Sequence, residues 1–117
     1  MDNSAAIESL SALAQETRLE VFRLLVQAGP EGLYAGEIAA RLDVLQNTLS
    51  TNLAVLSRAG LIQARREGRS IRYSADLGAM SALLGFLMQD CCGGRPETCQ
   101  PLLTAITSLP ASTGKPQ

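Results

Sequence analysis

The chain has 117 residues, 46% of them hydrophobic but only 3% aromatic, and a net charge of −1. That length suits one domain with an aliphatic core, and so small a domain often shares its core with a second copy. No stretch nears the roughly 18 apolar residues of a membrane span, and the start lacks the basic and apolar regions of a secretory signal; a cytoplasmic chain with reduced thiols is expected.

Ser4 to Ala14 has helical spacing, with Ile7, Leu10, Leu13 and Ala14 on one face and Ser4 as its cap. Gln15 to Gln27 predicts a second helix, central to the core through Leu19, Phe22, Leu25 and Val26. Thr17 and Glu20 have the spacing of a capping box there. Gly and Pro make residues 28–32 a loop. A short helix follows over Leu33–Leu42 with Ile38, Ala39 and Leu42 inward, and Asp43-Val44 turns the chain.

The next helix carries an apolar stripe of Leu45, Leu49, Leu53 and Leu56, with Val55 beside it. Its other face holds Gln46, Asn47, Thr48, Ser50, Thr51 and Asn52. A helix needing only solubility would carry Lys and Glu there. Short amide and hydroxyl side chains instead suit the base edges of a DNA major groove. Gly60 ends the helix as a left-handed cap.

Two extended runs, Leu61–Arg66 and Ser70–Ala75, flank the hairpin tip Glu67-Gly68-Arg69. The small net charge hides an asymmetry in this region: residues 1–57 carry −4, residues 58–72 carry +4 and residues 73–117 carry −1. Arg65, Arg66, Arg69 and Arg72 on the hairpin are therefore the expected phosphate contacts. Such contacts fix register more than they read sequence. Strand alternation puts Arg65 and Arg66 on opposite faces, so they cannot serve one phosphate.

Leu77–Gln89 predicts a last helix, with Leu77, Met80, Leu83, Leu84, Phe86, Leu87 and Met88 and almost no charge. So apolar a helix at the edge of a small domain must be covered. All three cysteines follow it, Cys91, Cys92 and Cys99, within nine residues. Gly93-Gly94 and Pro96 let Cys99 turn back toward the vicinal pair. Three converging thiolates form a soft trigonal site that favours thiophilic ions, trivalent arsenic best and antimonite in competition. Zinc would need a fourth ligand, and the chain has no His. Neighbouring Cα atoms about 3.8 Å apart make Cys91–Cys92 a poor disulfide. Cys99 with either of them is feasible, so a redox or persulfide switch stays open. No His partner, phosphate loop or Cys-x-x-Cys motif supports catalysis, and an enzyme is not expected.

These motifs resemble the ArsR/SmtB family of small bacterial metal-responsive repressors over roughly residues 4 to 90. The matching residues are Glu37-Ile38-Ala39, Gln46-x-Thr48-x-Ser50-x-x-Leu53-x-x-Leu56, Ala59-Gly60-Leu61-Ile62, Arg65-Arg66-Glu67-Gly68-Arg69 and Tyr73. Asn52 stands where the family commonly has His. Leu45 stands where a Ser or Thr cap is usual, which moves the helix start to Gln46 or Asn47. The resemblance implies a mostly α winged helix-turn-helix with a small β-hairpin between the fourth and fifth helices. It implies a homodimer through the first and last helices, on Ile7, Leu10, Leu13, Met80, Leu83, Leu84 and Leu87. It further implies a repressor of an arsenic-resistance operon on an imperfectly palindromic double-stranded operator, with two recognition helices about 34 Å apart. The family's common sensor needs thiols in the supporting helix, and Glu37–Arg41 has none. Its His-containing zinc site is equally ruled out. That leaves Cys91, Cys92 and Cys99, the arrangement of one branch of arsenic repressors, with arsenite as inducer. Vicinal side chains point about 100° apart on a regular helix, so their joint capture of one ion predicts local unwinding at Asp90–Cys92. The expected organisation is a DNA-binding and dimerisation domain over 1–90, a cysteine sensor segment over 91–109 and a disordered tail over 110–117.

Overall fold

A computed structural model describes residues 1–89 and Pro101. The chain divides into units at Phe86 and Leu87, the first being Met1–Phe86. The elements among the described residues are α1 (Asn3–Leu13), α2 (Glu16–Ala28), β1 (Leu33–Tyr34), α3 (Ala35–Leu42), α4 (Gln46–Arg58), β2 (Ile62–Glu67), β3 (Ser70–Ala75) and α5 (Leu77–Leu87), the last ending one residue into the second unit. No helix among the described residues is long and apolar enough to cross a membrane.

The helix ends follow local hydrogen bonding, with two departures from expectation. Asp2, not Ser4, caps α1, its carboxylate accepting the Ala5 N–H at 2.9 Å. Gln15, not Thr17, caps α2, accepting from the Arg18 N–H at 2.8 Å. An acceptor just outside the first turn faces the free N–H groups, whereas Ser4 and Thr17 already lie within it. Asp43 ends α3 in the left-handed region at φ 55°, which a short polar side chain tolerates. Asp76 starts α5 by accepting the Ala79 N–H at 2.9 Å. Hydrogen bonds from Gln63 and then from that Ala79 N–H hold its carboxyl below the usual range.

Val21, Leu25, Ile38, Leu49, Leu56 and Leu61 are fully buried, with Phe22 and Leu53 beside them. Each such side chain contributes about 1.5–3 kcal/mol on leaving water. The apolar stripe of α4 is as expected from Leu49 to Leu56, but Leu45 lies before the first turn and is 77% exposed. On α2 the core face is Val21, Phe22 and Leu25, while Leu19 and Val26 point outward. On α1 it is Ala6, Ser9 and Ala12, small residues that allow close approach, and Ile7 and Leu10 face away uncovered. Leu84 and Leu87 of α5 are half exposed. Leu83, expected on the dimer surface, is 2% exposed and belongs to this chain's own packing. Met80 and Leu13 likewise lie partly buried against the core.

A strand absent from the sequence reading precedes α3. β1 pairs antiparallel with β3, Leu33 opposite Tyr73 and Tyr34 opposite Arg72, giving the sheet order β1-β3-β2. The hairpin β2–β3 runs in register from Ile62–Ala75 to Glu67–Ser70. Gly32 makes this possible: at φ +71° it lies so close to the Tyr73 carbonyl that a Cβ would collide with it.

Candidate nucleic-acid interface

α3, the left-handed turn at Asp43 and α4 form a helix-turn-helix, and β2–β3 form the wing beside it. Gln46, Asn47, Thr48, Ser50 and Thr51 are all exposed on α4. Thr51 bonds back to the Asn47 carbonyl at 3.2 Å. These residues present an uncharged donor and acceptor surface at the front of the helix, the part that a helix-turn-helix offers to base edges.

Asn52 does not share that surface. It is 6% exposed and turned inward. Its amide nitrogen donates to the Thr48 carbonyl at 3.0 Å, and its amide oxygen accepts from Arg18 Nη1 at 3.2 Å. Arg18 in turn donates to the Ala12 and Ser11 carbonyls at the end of α1. Asn52 thus ties the recognition helix to the α1–α2 junction, because a buried amide must be paired. Its burial removes it from the exposed polar face on which its spacing had placed it.

The wing arginines divide in the same way. Arg65 and Arg72 face each other across the hairpin, a like-charge pair that would be repulsive alone. Glu67 lies between them, 3.1 Å from each. The hydrogen bond from the Tyr34 hydroxyl at 2.8 Å, followed by those from Arg72 and Arg65, holds the Glu67 carboxyl below its usual range. Arg72 also donates to the Tyr34 oxygen at 2.7 Å and the Glu31 carbonyl at 3.1 Å, and its guanidinium stacks 4.3 Å above the Tyr34 ring. Arg72 thus has a structural role, tying Glu67, Tyr34 and Glu31 together. Arg66 and Arg69 are exposed and make no ion pair among the described residues, and Arg65 keeps 63% of its side chain exposed.

Sequence reasoning missed Tyr34, Glu67 and Arg18. A visible signal existed only for Glu67, the lone acid among five arginines in residues 58–72. Cys91, Cys92 and Cys99 lie outside the described residues. Among the described ones, no group of three His, Cys, Asp or Glu side chains could hold a metal ion.

Comparison with known proteins decides the family. A model described as a helix-turn-helix domain matches residues 13–63, which run from the end of α1 into β2. The chain is 35% identical over 86 residues to the transcriptional activator HlyU of Vibrio cholerae, covering 73% of this chain and 77% of HlyU. HlyU has also been solved in a form described as reduced, at TM-score 0.58 and 30% identity, covering 76% of this chain and 90% of that one. This chain is 38% identical over 73 residues to a Halobacterium salinarum protein named for repression of an arsenical resistance operon, covering 62% of this chain and 56% of that protein. The solution structure of a homodimeric winged helix-turn-helix DNA-binding domain from Mycobacterium bovis superposes with TM-score 0.59 at 27% identity, covering 79% of this chain and 85% of that one. The chain belongs to the ArsR/SmtB family of winged-helix transcriptional regulators. In this ArsR-family regulator α4 is therefore the recognition helix, and the relatives named above are regulators of transcription rather than enzymes.

Proposed function

We propose that this regulator represses transcription as a homodimer on double-stranded operator DNA and is released when trivalent arsenic binds Cys91, Cys92 and Cys99. The observation that carries the DNA half is the exposed, uncharged face of α4, Gln46, Asn47, Ser50 and Thr51, next to the exposed wing arginines Arg66 and Arg69. The helix reads bases and the wing grips phosphate. The homodimer is supported by uncovered Ile7, Leu10, Leu84 and Leu87 on α1 and α5 and by the homodimeric neighbour. The arsenic half rests on the donor set. Three thiols within nine residues, with no His anywhere and no thiol in α3, suit a soft three-coordinate ion. The likeness to the arsenical resistance repressor points the same way and favours repression. Antimonite, with the same demand for three sulfurs, competes for the site.

Release follows from linkage: the ion shifts the DNA equilibrium by its differential affinity for the free and bound dimer, typically a coupling of about 1–3 kcal/mol. The test is fluorescence anisotropy with DNA from upstream of the protein's own gene, in excess non-chelating reductant, with arsenite titrated in. Stoichiometric release in the wild type, absent from Cys91→Ser, Cys92→Ser and Cys99→Ser, is expected. Arsenite release retained in all three variants refutes the cysteine site. A second reading, a thiol redox or persulfide switch on the same cysteines, is favoured by the existence of HlyU in a form described as reduced. That reading predicts release by oxidant or persulfide, and binding that arsenite leaves intact.

A further inference from the structure

The wing projects from the sheet with little backbone to hold it. β1 is two residues long, and its pairing with β3 stops at Tyr34–Arg72. Ser70 and Ile71, nearer the tip, have β2 as their only strand neighbour among the described residues. A two-stranded hairpin is marginally stable at best by itself. The tip is not packed on α3 either: an open cleft of about 270 Å³ lies between them, lined by Tyr34, Gly36, Arg69 and Ile71.

One polar bridge spans this gap. Tyr34 immediately precedes α3, as its N-cap, and its backbone N–H is engaged by Glu37 at 2.9 Å. Its hydroxyl reaches Glu67, the last residue of β2 before the turn. Arg72 closes the triangle by donating to both Glu67 and Tyr34. The supporting helix is thereby fastened to the wing tip through side chains. We infer that the Tyr34 hydroxyl is a positioning group for DNA binding, setting the angle at which the wing presents Arg66 and Arg69 to phosphate relative to the recognition helix. Tyr34 itself holds no phosphate. It acts through Glu67, and it gives Glu67 a purpose on a surface where a lone acid would otherwise weaken phosphate binding.

The inference rests on the DNA-binding reading of the wing, so the test separates the two. Affinity for a labelled duplex from upstream of the protein's own gene is measured over a salt series for the wild type, Tyr34→Phe, Arg66→Ala/Arg69→Ala and the triple variant. Tyr34→Phe keeps the ring under Arg72 and the backbone pairing, and removes only the hydroxyl. It should weaken wild-type binding about fivefold, the net weight of one of the two hydrogen bonds it removes. Its salt slope should move part of the way to that of the double variant, which loses about one unit per phosphate contact. In the background lacking Arg66 and Arg69 the same change should cost less than about twofold. An equal loss in both backgrounds overturns the inference, since a merely structural hydroxyl would act without the wing arginines. Arg66→Ala/Arg69→Ala binding like the wild type overturns the wing contact and the inference together. A weakened double variant with Tyr34→Phe unchanged overturns the inference alone.

Discussion

Asn52→Ala separates a groove-facing amide from a buried one. The substitution removes an acceptor for Arg18 Nη1 at 3.2 Å and a donor to the Thr48 carbonyl at 3.0 Å. A hydrogen bond from a charged donor contributes about 1.5–3 kcal/mol. Arg18 is only part-buried and keeps the Ala12 and Ser11 carbonyls, so water can replace some of that loss. Alanine also returns up to about 0.7 kcal/mol of helix propensity. The net expectation is about 1–2 kcal/mol of destabilisation, a fall of several degrees in Tm for a domain of this size. Urea unfolding of Asn52→Ala, Arg18→Met and the double variant gives the coupling directly, and Arg18→Met keeps most of the stem's packing. A coupling of at least about 0.5 kcal/mol is expected. Wild-type stability in Asn52→Ala, combined with a tenfold or greater loss of DNA affinity, would refute the reasoning and return Asn52 to the base-contacting set.

Other substitutions probe the same frame. Asp76→Ala removes the cap that accepts the Ala79 N–H and should cost about 0.5–2 kcal/mol in urea unfolding, with Asp76→Asn recovering most of it. Gly32→Ala should be severely destabilising, because the new Cβ meets the Tyr73 carbonyl, whereas Gly68→Ala at the open wing tip should cost only the roughly 1–2 kcal/mol of a left-handed alanine. Glu67 has its pKa lowered in the fold, so its contribution is complete above the ordinary value of 4.5 and is lost as pH falls through the lower folded value. Thermal unfolding across that range should show a dependence that Glu67→Gln diminishes, and an identical profile in that variant would refute the assignment.

Which features were legible follows from the distance over which they are made. The stripe Leu49, Leu53 and Leu56 is set by a period of one turn, and its burial agrees with its spacing. The hairpin around Gly68 is equally local. On α2, apolar residues surround the helix too widely for spacing to choose a face. α2 packs against α1, α3, α4 and β3, and these neighbours select Val21 over Leu19 and Val26. Asn52 looks like its polar neighbours because the Arg18 that turns it inward lies 34 residues away. Arg72 looks like its fellow arginines until Tyr34, 38 residues distant, claims it. Charge counting located the basic wing correctly but could not tell which cations Glu67 would occupy.

The short strand β1 also orders events in time. The three-residue turn between α3 and α4 and the hairpin tip close small loops, which are fast to form. Joining Tyr34 to Arg72 closes a loop of 38 residues, and its entropy must be met before any of those contacts returns it. On a growing chain, β1 leaves the ribosome long before its partner β3 exists. The helices can collapse first on Leu25, Ile38 and Leu56, while the wing attaches as a late step. A weakened wing attachment would then show itself mainly as faster unfolding, with the rate of folding nearly unchanged.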